Sequence, residues 1–417
     1  MPETNSNQII LVASLMLRSM RSPNYRIYLL GSLTQFAPLI TQVITGPLLM
    51  YRLTGSPALL GVTALVGSIP MIAMSIFGGA IADRISKKKV IIIALLGSII
   101  MVLVIGMLLT TGIISKENPD SWLILLAVML FLSGLNGMLM PALQALIPEI
   151  VEKEELMNAV AVNSLGINAL SLMAPAAAGF MIDAYDFNVI YFTMAGLYTC
   201  SLIFIVFVRG ARQSTGSSGS ILGEIYKGLR YVKRDNFLFI ILVFTLIATL
   251  LSMPYQQLLP IYADDILKVG ATGMGMLLSA SGAGALVASI VLMALPNKKR
   301  GLMLLVSGLV SGLALVGFSF SSTMGISITV MVFIGIAQTF RVTIGSTLLQ
   351  VYAEPEYRGR VMSLFHIQWG LSSICTFLAG VLSEVAPVQW VLGILSMILV
   401  ILCLMAIAFI SGFRRLD

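Results

Sequence analysis

Apolar residues run along this chain in long unbroken blocks, separated by short polar or charged segments. A helix needs roughly 20 residues to cross about 30 Å of hydrocarbon. Twelve blocks reach that length: 27–51, 58–82, 90–112, 122–147, 158–182, 189–208, 237–262, 272–295, 301–320, 326–350, 361–383 and 389–411. The apolar positions do not alternate in period two, so a transmembrane β-barrel is excluded. The pattern predicts an all-α membrane protein with twelve transmembrane helices. Pro47, Pro70, Pro141, Pro175 and Pro254 interrupt spans, and Gly273, Gly275, Gly282 and Gly284 crowd span eight. Prolines permit bending and small residues permit close helix contact, which suits helices that rock.

Composition narrows the class further. The chain is 58% hydrophobic and 10% charged, whereas a soluble domain carries about 25% charged residues. A soluble enzyme and a disordered chain are both excluded. Cys200, Cys375 and Cys403 lie in apolar segments without metal-ligand spacing, so they read as small buried hydrophobes.

The charges set a topology. An even number of spans puts both termini on one side. The segments on that side hold 21 of the 25 Lys and Arg, and the opposite side holds only Arg52, Lys116 and Lys268. A split this lopsided places both termini in the cytoplasm. Trp122 and Trp390 open spans at the outer interface, as an aromatic belt requires. The apolar stretch Ile9–Leu17 is too short to span and reads as part of a cytoplasmic arm over 1–26.

The segment 209–236 begins with the polar run Arg209-Gly-Ala-Arg-Gln-Ser-Thr-Gly-Ser-Ser-Gly-Ser220. It reads as a cytoplasmic linker between six-helix bundles over 27–208 and 237–417. Its second part, Ile221–Arg234, places Ile221, Ile225, Leu229 and Val232 on one face and predicts a helix lying on the membrane surface. The bundles repeat one another. Val128-Met-Leu-Phe131 matches Val330-Met-Val-Phe333, and the same offset carries Glu152 onto Glu354 and Glu154 onto Glu356. A slightly larger offset carries Lys87-Lys88-Lys89 onto Lys298-Lys299-Arg300. Two similar halves with a cavity between them at mid-membrane are the expected plan of a rocking transporter.

The loop after span two reads Gly79-Ala-Ile-Ala-Asp83-Arg84-Ile-Ser-Lys87-Lys88-Lys89. It resembles the signature of the major facilitator superfamily, Gly-x-x-x-Asp-Arg-x-Gly-Arg-Arg/Lys, with Ser86 where glycine is usual. Pro141-Ala-Leu-Gln-Ala-Leu-Ile-Pro148-Glu149, Glu155-Leu-Met-Asn158-Ala159 and Arg358-Gly359-Arg360-Val361 are similar to loops of the enterobactin and macrolide exporters of that family. The resemblance implies a secondary transporter exporting small amphipathic or hydrophobic molecules, drug-like or siderophore-like, across a bacterial cytoplasmic membrane. It implies a monomer without a cofactor. The partners are then the small-molecule substrate, the lipid bilayer and a coupling proton, with no nucleic acid. It further implies an inner gate built from Gly79, Asp83 and Arg84 with Arg358 and Arg360. The lysine run itself reads as a topology determinant. The fourth span carries Ser133-Gly-Leu-Asn136-Gly in place of the arginine of proton-linked drug exporters. Ala174-Pro175 stands where antiporters carry Gly-Pro.

The interior offers few polar groups. Arg341 stands near the middle of span ten, where an isolated guanidinium costs several kcal/mol or more. It should face a cavity or a partner, and as a substrate contact it would favour an anionic or strongly polarised group. Gln35, Gln42 and Thr45 share one face of span one, and Asn136, Gln256 and Gln338 add amides on spans four, seven and ten. Trp369, inside span eleven, is a further candidate to line the cavity. The 18 acidic residues fall at span ends or in loops. Asp183, Asp264 and Asp265 are the nearest candidates for a proton site, and each also reads as a solvated outer charge. An importer of a small, anionic solute is the alternative on the same fold. A membrane enzyme would need clustered Asp, His or Ser at one depth, and this chain has a single histidine, His366.

Overall fold

The computed structural model describes residues 19–82, 86–152, 154–209, 228–295 and 298–409, with 75–82 as backbone only. Twelve long helices succeed one another: α1 (Pro23–Thr54), α2 (Pro57–Ala82), α3 (Lys87–Thr110), α4 (Ser121–Ile150), α5 (Leu156–Tyr185) and α6 (Phe187–Phe207). Then come α7 (Asn236–Ile266), α8 (Gly270–Ala294), α9 (Arg300–Ser319), α10 (Met324–Tyr352), α11 (Arg358–Leu382) and α12 (Val388–Phe409). All twelve are long and apolar enough to cross a membrane. They coincide with the twelve apolar blocks, extended at several ends by the polar residues that cap a helix. Asp235, for example, accepts hydrogen bonds from the Phe237 and Leu238 N–H groups at the start of α7.

Two features refine that reading. First, α7 is interrupted at Met253, before Pro254, and closes with a π-turn over Tyr262–Ile266. There the Leu267 N–H reaches back to the Tyr262 carbonyl at 2.8 Å, and the Val269 N–H to Ala263 at 2.8 Å. Pro254 marks the interruption in the sequence, whereas the π-turn leaves an apolar run apolar and hydropathy does not register it. Second, the cysteines are not uniformly buried. Cys403 is buried, Cys375 partly so, and Cys200 lies exposed on α6. Its apolar segment makes that an outward-facing position, as it does for Phe131, Phe207 and Ile290. Of the linker, residues 228–232 are helical, whereas 210–227 lie outside the described residues, with the first half of the expected surface helix.

The described residues gather into two compact units. Those of Met1–Val43, Pro70–Ala174 and Tyr185–Ser218 form one, and those of Ile44–Ile69, Pro175–Ala184 and Gly219–Asp417 the other. In the first unit α3 packs on α4 and α6, and in the second α9 packs on α10 and α12. The internal repeat is thus visible as repeated packing. Buried hydroxyls tie the first unit together by donating to backbone carbonyls. Tyr28 reaches Leu143 at 2.9 Å, Tyr25 reaches Ala159 at 2.7 Å, and Ser201 reaches Gly31 at 2.7 Å. Such bonds link α1 to α4, α5 and α6 where no water competes.

The second unit recruits the ends of α1, α2 and α5 to the helices α7–α12. We call the end of this unit where α1, α5, α7, α9 and α11 finish and α2, α8, α10 and α12 begin its distal end.

Candidate functional site: a distal latch and a buried arginine

At the distal end, α2 and α11 approach until their backbones touch. A Cβ added to Gly61 would lie 2.8 Å from the Phe377 Cα, and one added to Gly380 would lie 2.6 Å from the Pro57 carbonyl oxygen. Gly179 of α5 and Gly275 of α8 make still closer approaches, to the carbonyl oxygens of Ala271 and Pro175. Two glycine-lined crossings therefore seat the recruited helix ends. Hydrogen bonds cross the same seams. The Ala176 N–H donates to the Ser279 hydroxyl at 3.1 Å, and Gln257 Nε2 donates to Thr63 Oγ1 at 2.6 Å.

Charge closes the seats. Arg52, at the end of α1, grips Asp264 with two donors on one edge of its guanidinium: Nε to Oδ2 at 2.9 Å and Nη2 to Oδ1 at 3.2 Å. Nη2 also stands 3.7 Å from Asp183 Oδ1. Asp183 in turn accepts the Thr272 N–H at 2.7 Å and the Ala271 N–H at 3.2 Å, at the positive N-terminus of α8. Gly270 opens that helix with φ +65, a conformation glycine adopts without strain. The neighbouring Tyr51 hydroxyl donates to Asp265. Ser56 donates to Glu384, whose same oxygen also accepts the Ala58 N–H at 3.0 Å. Asp183, Asp264 and Asp265 are therefore not simply solvated outer charges. Each keeps partial exposure but is held by α1. Residues at 52, 183 and 264 share no local spacing, so only the packing of α1, α5 and α7 brings them together. The π-turn carries Asp264 and Asp265 to that meeting point, a recurrent use of such turns.

Deeper in the same unit lies Arg341, 1% exposed. Its Nη1 donates to Thr249 Oγ1 of α7 at 3.2 Å, and Thr249 stands 3.1 Å from Gln368 Oε1 of α11. Nε and Nη2 have no hydrogen-bond partner. Sequence reasoning singled out Arg341 but missed Thr249 and Gln368, whose polarity is ordinary within an apolar span.

The other polar candidates divide between the units. In the first, Gln35 is fully buried, and the amide groups of both Gln35 and Gln42 lack partners. Asn136 donates from Nδ2 to the Leu132 carbonyl of its own helix at 3.0 Å. In the second, Gln256 lies 3.4 Å from the Tyr255 hydroxyl, Gln338 is half-buried, and Trp369 is 40% exposed. At the opposite end of the second unit, Arg358 Nε donates to the Ala353 carbonyl at 3.2 Å. Arg360 sits 4.9 Å above the Tyr357 ring, which stacks at 4.1 Å on Tyr231 from the end of the linker. The Glu354 N–H donates to the Tyr231 hydroxyl at 3.1 Å, so the linker's end is fastened to the loop before α11.

A family model described as "Major Facilitator Superfamily" matches residues 27–375 and 265–415. The chain belongs to the major facilitator superfamily. It is a multi-pass bacterial membrane protein and a transporter, not an enzyme. It is 25% identical over 390 residues to the multidrug efflux pump Tap of Mycolicibacterium fortuitum, covering 90% of this chain and 92% of that protein. It is 24% identical to macrolide efflux protein A of Streptococcus pyogenes, covering 79% and 82%. A crystal structure of a POT family transporter in complex with 5-aminolevulinic acid superposes with a TM-score of 0.76 at 12% identity, covering 94% of this chain and 96% of that one. That likeness confirms the fold.

The motif-bearing loop after α2 is described only in part. Asp83 and Arg84 lie outside the described residues, and Gly79 falls in the backbone-only part of α2. The loop is described again from Ser86, the departure from the superfamily motif. Its φ is −56, so glycine's freedom is not needed there. Lys87 pairs with Glu149 and donates to the Ala145 carbonyl at 3.2 Å. Lys88 donates to the Val206 and Val208 carbonyls, each at 2.7 Å, at the negative end of α6. The lysine run is thus more than a topology signal, since it clamps α3 to α4 and α6.

Proposed function

We propose that this transporter exports small amphipathic or hydrophobic molecules across the cytoplasmic membrane by alternating access, with both termini in the cytoplasm. The distal end then faces outward. The observation that carries the reading is the construction of that end. Glycine crossings let helices seat without interlocked side chains, and partly exposed ion pairs hold the seat at modest cost. A closure of this kind can open and re-form. Likeness to efflux proteins along most of the chain supports the outward direction of transport. The signature-loop residues Gly79, Asp83 and Arg84, with Arg358 and Arg360, act as the gate of the cytoplasmic side. Gln35, Gln42, Asn136, Gln256, Gln338, Arg341 and Trp369 supply substrate contacts. The protein works as a monomer, and a proton is the candidate coupling ion.

The test is accumulation of a dye, drug and siderophore panel in an efflux-deficient bacterium, comparing wild type with Asp83→Asn at matched expression. Lower accumulation with wild type, restored in the variant, supports export and the gate together. Higher accumulation with wild type turns the reading to import. No difference on any compound removes the efflux reading and leaves the fold.

A further inference from the structure

We propose that the Nε and Nη2 edge of Arg341 is a carboxylate-binding subsite, so that the substrates of this transporter include amphipathic carboxylic acids. The inference deepens the export reading and rests on it for the word substrate. The chemistry begins with one guanidinium compared with another in the same unit. Arg52 uses its Nε and Nη2 to hold both oxygens of Asp264 at 2.9 and 3.2 Å. That is the side-on fork by which arginine matches a carboxylate. Arg341 presents the same two atoms, and both are buried without a hydrogen-bond partner. Its third nitrogen, Nη1, is already used by Thr249.

Two further observations point to a ligand and away from simple packing. No carboxylate of the described residues lies within ion-pair distance of Arg341, so its charge is uncompensated in a low-dielectric span. Neutral glue would be supplied at far lower cost by a glutamine. The guanidinium is also oriented. The Thr249 hydroxyl beside Gln368 fixes one end, which leaves the fork edge as its remaining donor face. One turn beyond Thr249, α7 is interrupted at Met253–Pro254, so the helix bearing that anchor has a hinge next to it. Opening at this point would admit an anion to the fork. The carboxylate is favoured over a polarised neutral group because only an anion offsets the charge as well as the two donors.

The experiment uses the full chain purified in an uncharged detergent, with 1-naphthoate and its neutral amide 1-naphthamide as probes. Thermal unfolding and intrinsic tryptophan fluorescence are read for wild type, Arg341→Gln, Arg341→Lys and Thr249→Val. Naphthoate should stabilise wild type and bind at least tenfold more tightly than naphthamide. Arg341→Gln should lose that preference. Arg341→Lys, which keeps the charge but not the fork, should retain a weakened preference, and Thr249→Val a smaller loss. Equal binding of acid and amide by wild type overturns the proposal, as does an undiminished acid preference in Arg341→Gln. If Arg341→Gln fails to fold, the probe pair on wild type and Arg341→Lys decides. Acid-selective binding with no export of any compound would sink the export reading and leave the subsite. Export without acid selectivity would do the reverse.

Discussion

Arg52 and Arg341 belong to the same structural unit and spend their donors in opposite ways. Arg52 lies at the rim, 30% exposed, with Asp264 across one edge and Asp183 beyond. Arg341 is 1% exposed, with a single neutral partner. Exposure lowers the cost of the first charge, and counter-charges offset what remains, so the contact can break and re-form. Burial raises the cost of the second, and nothing among the described residues offsets it. The first arrangement suits a latch. The second suits a receptor for an incoming anion.

The contrast is broken most sharply by removing the buried charge. Arg341→Met should leave stability unchanged or raise it, by roughly 1–4 kcal/mol, since replacing buried charge with packed apolar volume often stabilises. It should also abolish acid-selective binding. A fall in melting temperature matching the loss of a buried ion pair, about 3–5 kcal/mol, would mean that Arg341 has a counter-charge after all. Next comes the seat of the latch. Gly61→Leu forces a side chain into the Phe377 backbone, and overpacking costs about 1–3 kcal/mol. The closed distal end should give way. A cysteine at the buried Thr63, in a background lacking the native cysteines, should then react much faster with a membrane-impermeant maleimide. Unchanged labelling would show that the glycine crossing does not control access.

Arg52→Gln should have a smaller effect, about 1 kcal/mol or less because the pair is partly exposed. That corresponds to a few-fold rise in the same labelling rate. The charge swap of Arg52→Asp with Asp264→Arg should recover part of it, and no recovery would mean the pair is incidental. Smallest is Lys88→Ala, which strips the cation from the end of α6 and should lower stability by about 0.5 kcal/mol in a thermal melt. A large loss there would show that the basic loop bears more of the first unit's stability than a helix-end charge can.

How much of this could be read from the residues depends on the range of each effect. Burial in a bilayer is a property of each 20-residue block, so hydropathy located every helix to within a few residues. The loop Gly79–Lys89 and the recurring acidic and basic loops carried the family in the same way, because they are contiguous. Arg341 stood out from the residues alone, since one charge in an apolar span is conspicuous. Its anchors Thr249 and Gln368 did not, and neither did the glycines at 61 and 380, which look like any small residue in a span. The latch was hidden for a further reason. Asp183, Asp264 and Glu384 sit at the ends of different helices, where acidic residues are the norm.

By itself, then, the sequence determined the helices, their number, the internal repeat and the family, because each depends on local apolar runs and adjacent residues. Only the tertiary structure decided which polar groups meet. It brought Arg52 to Asp264 and Asp183, and it left Arg341 with one edge unpaired. Pairing between residues hundreds of positions apart depends on how helices cross and turn. A π-turn at Tyr262 or a glycine at a crossing changes that geometry without changing hydropathy.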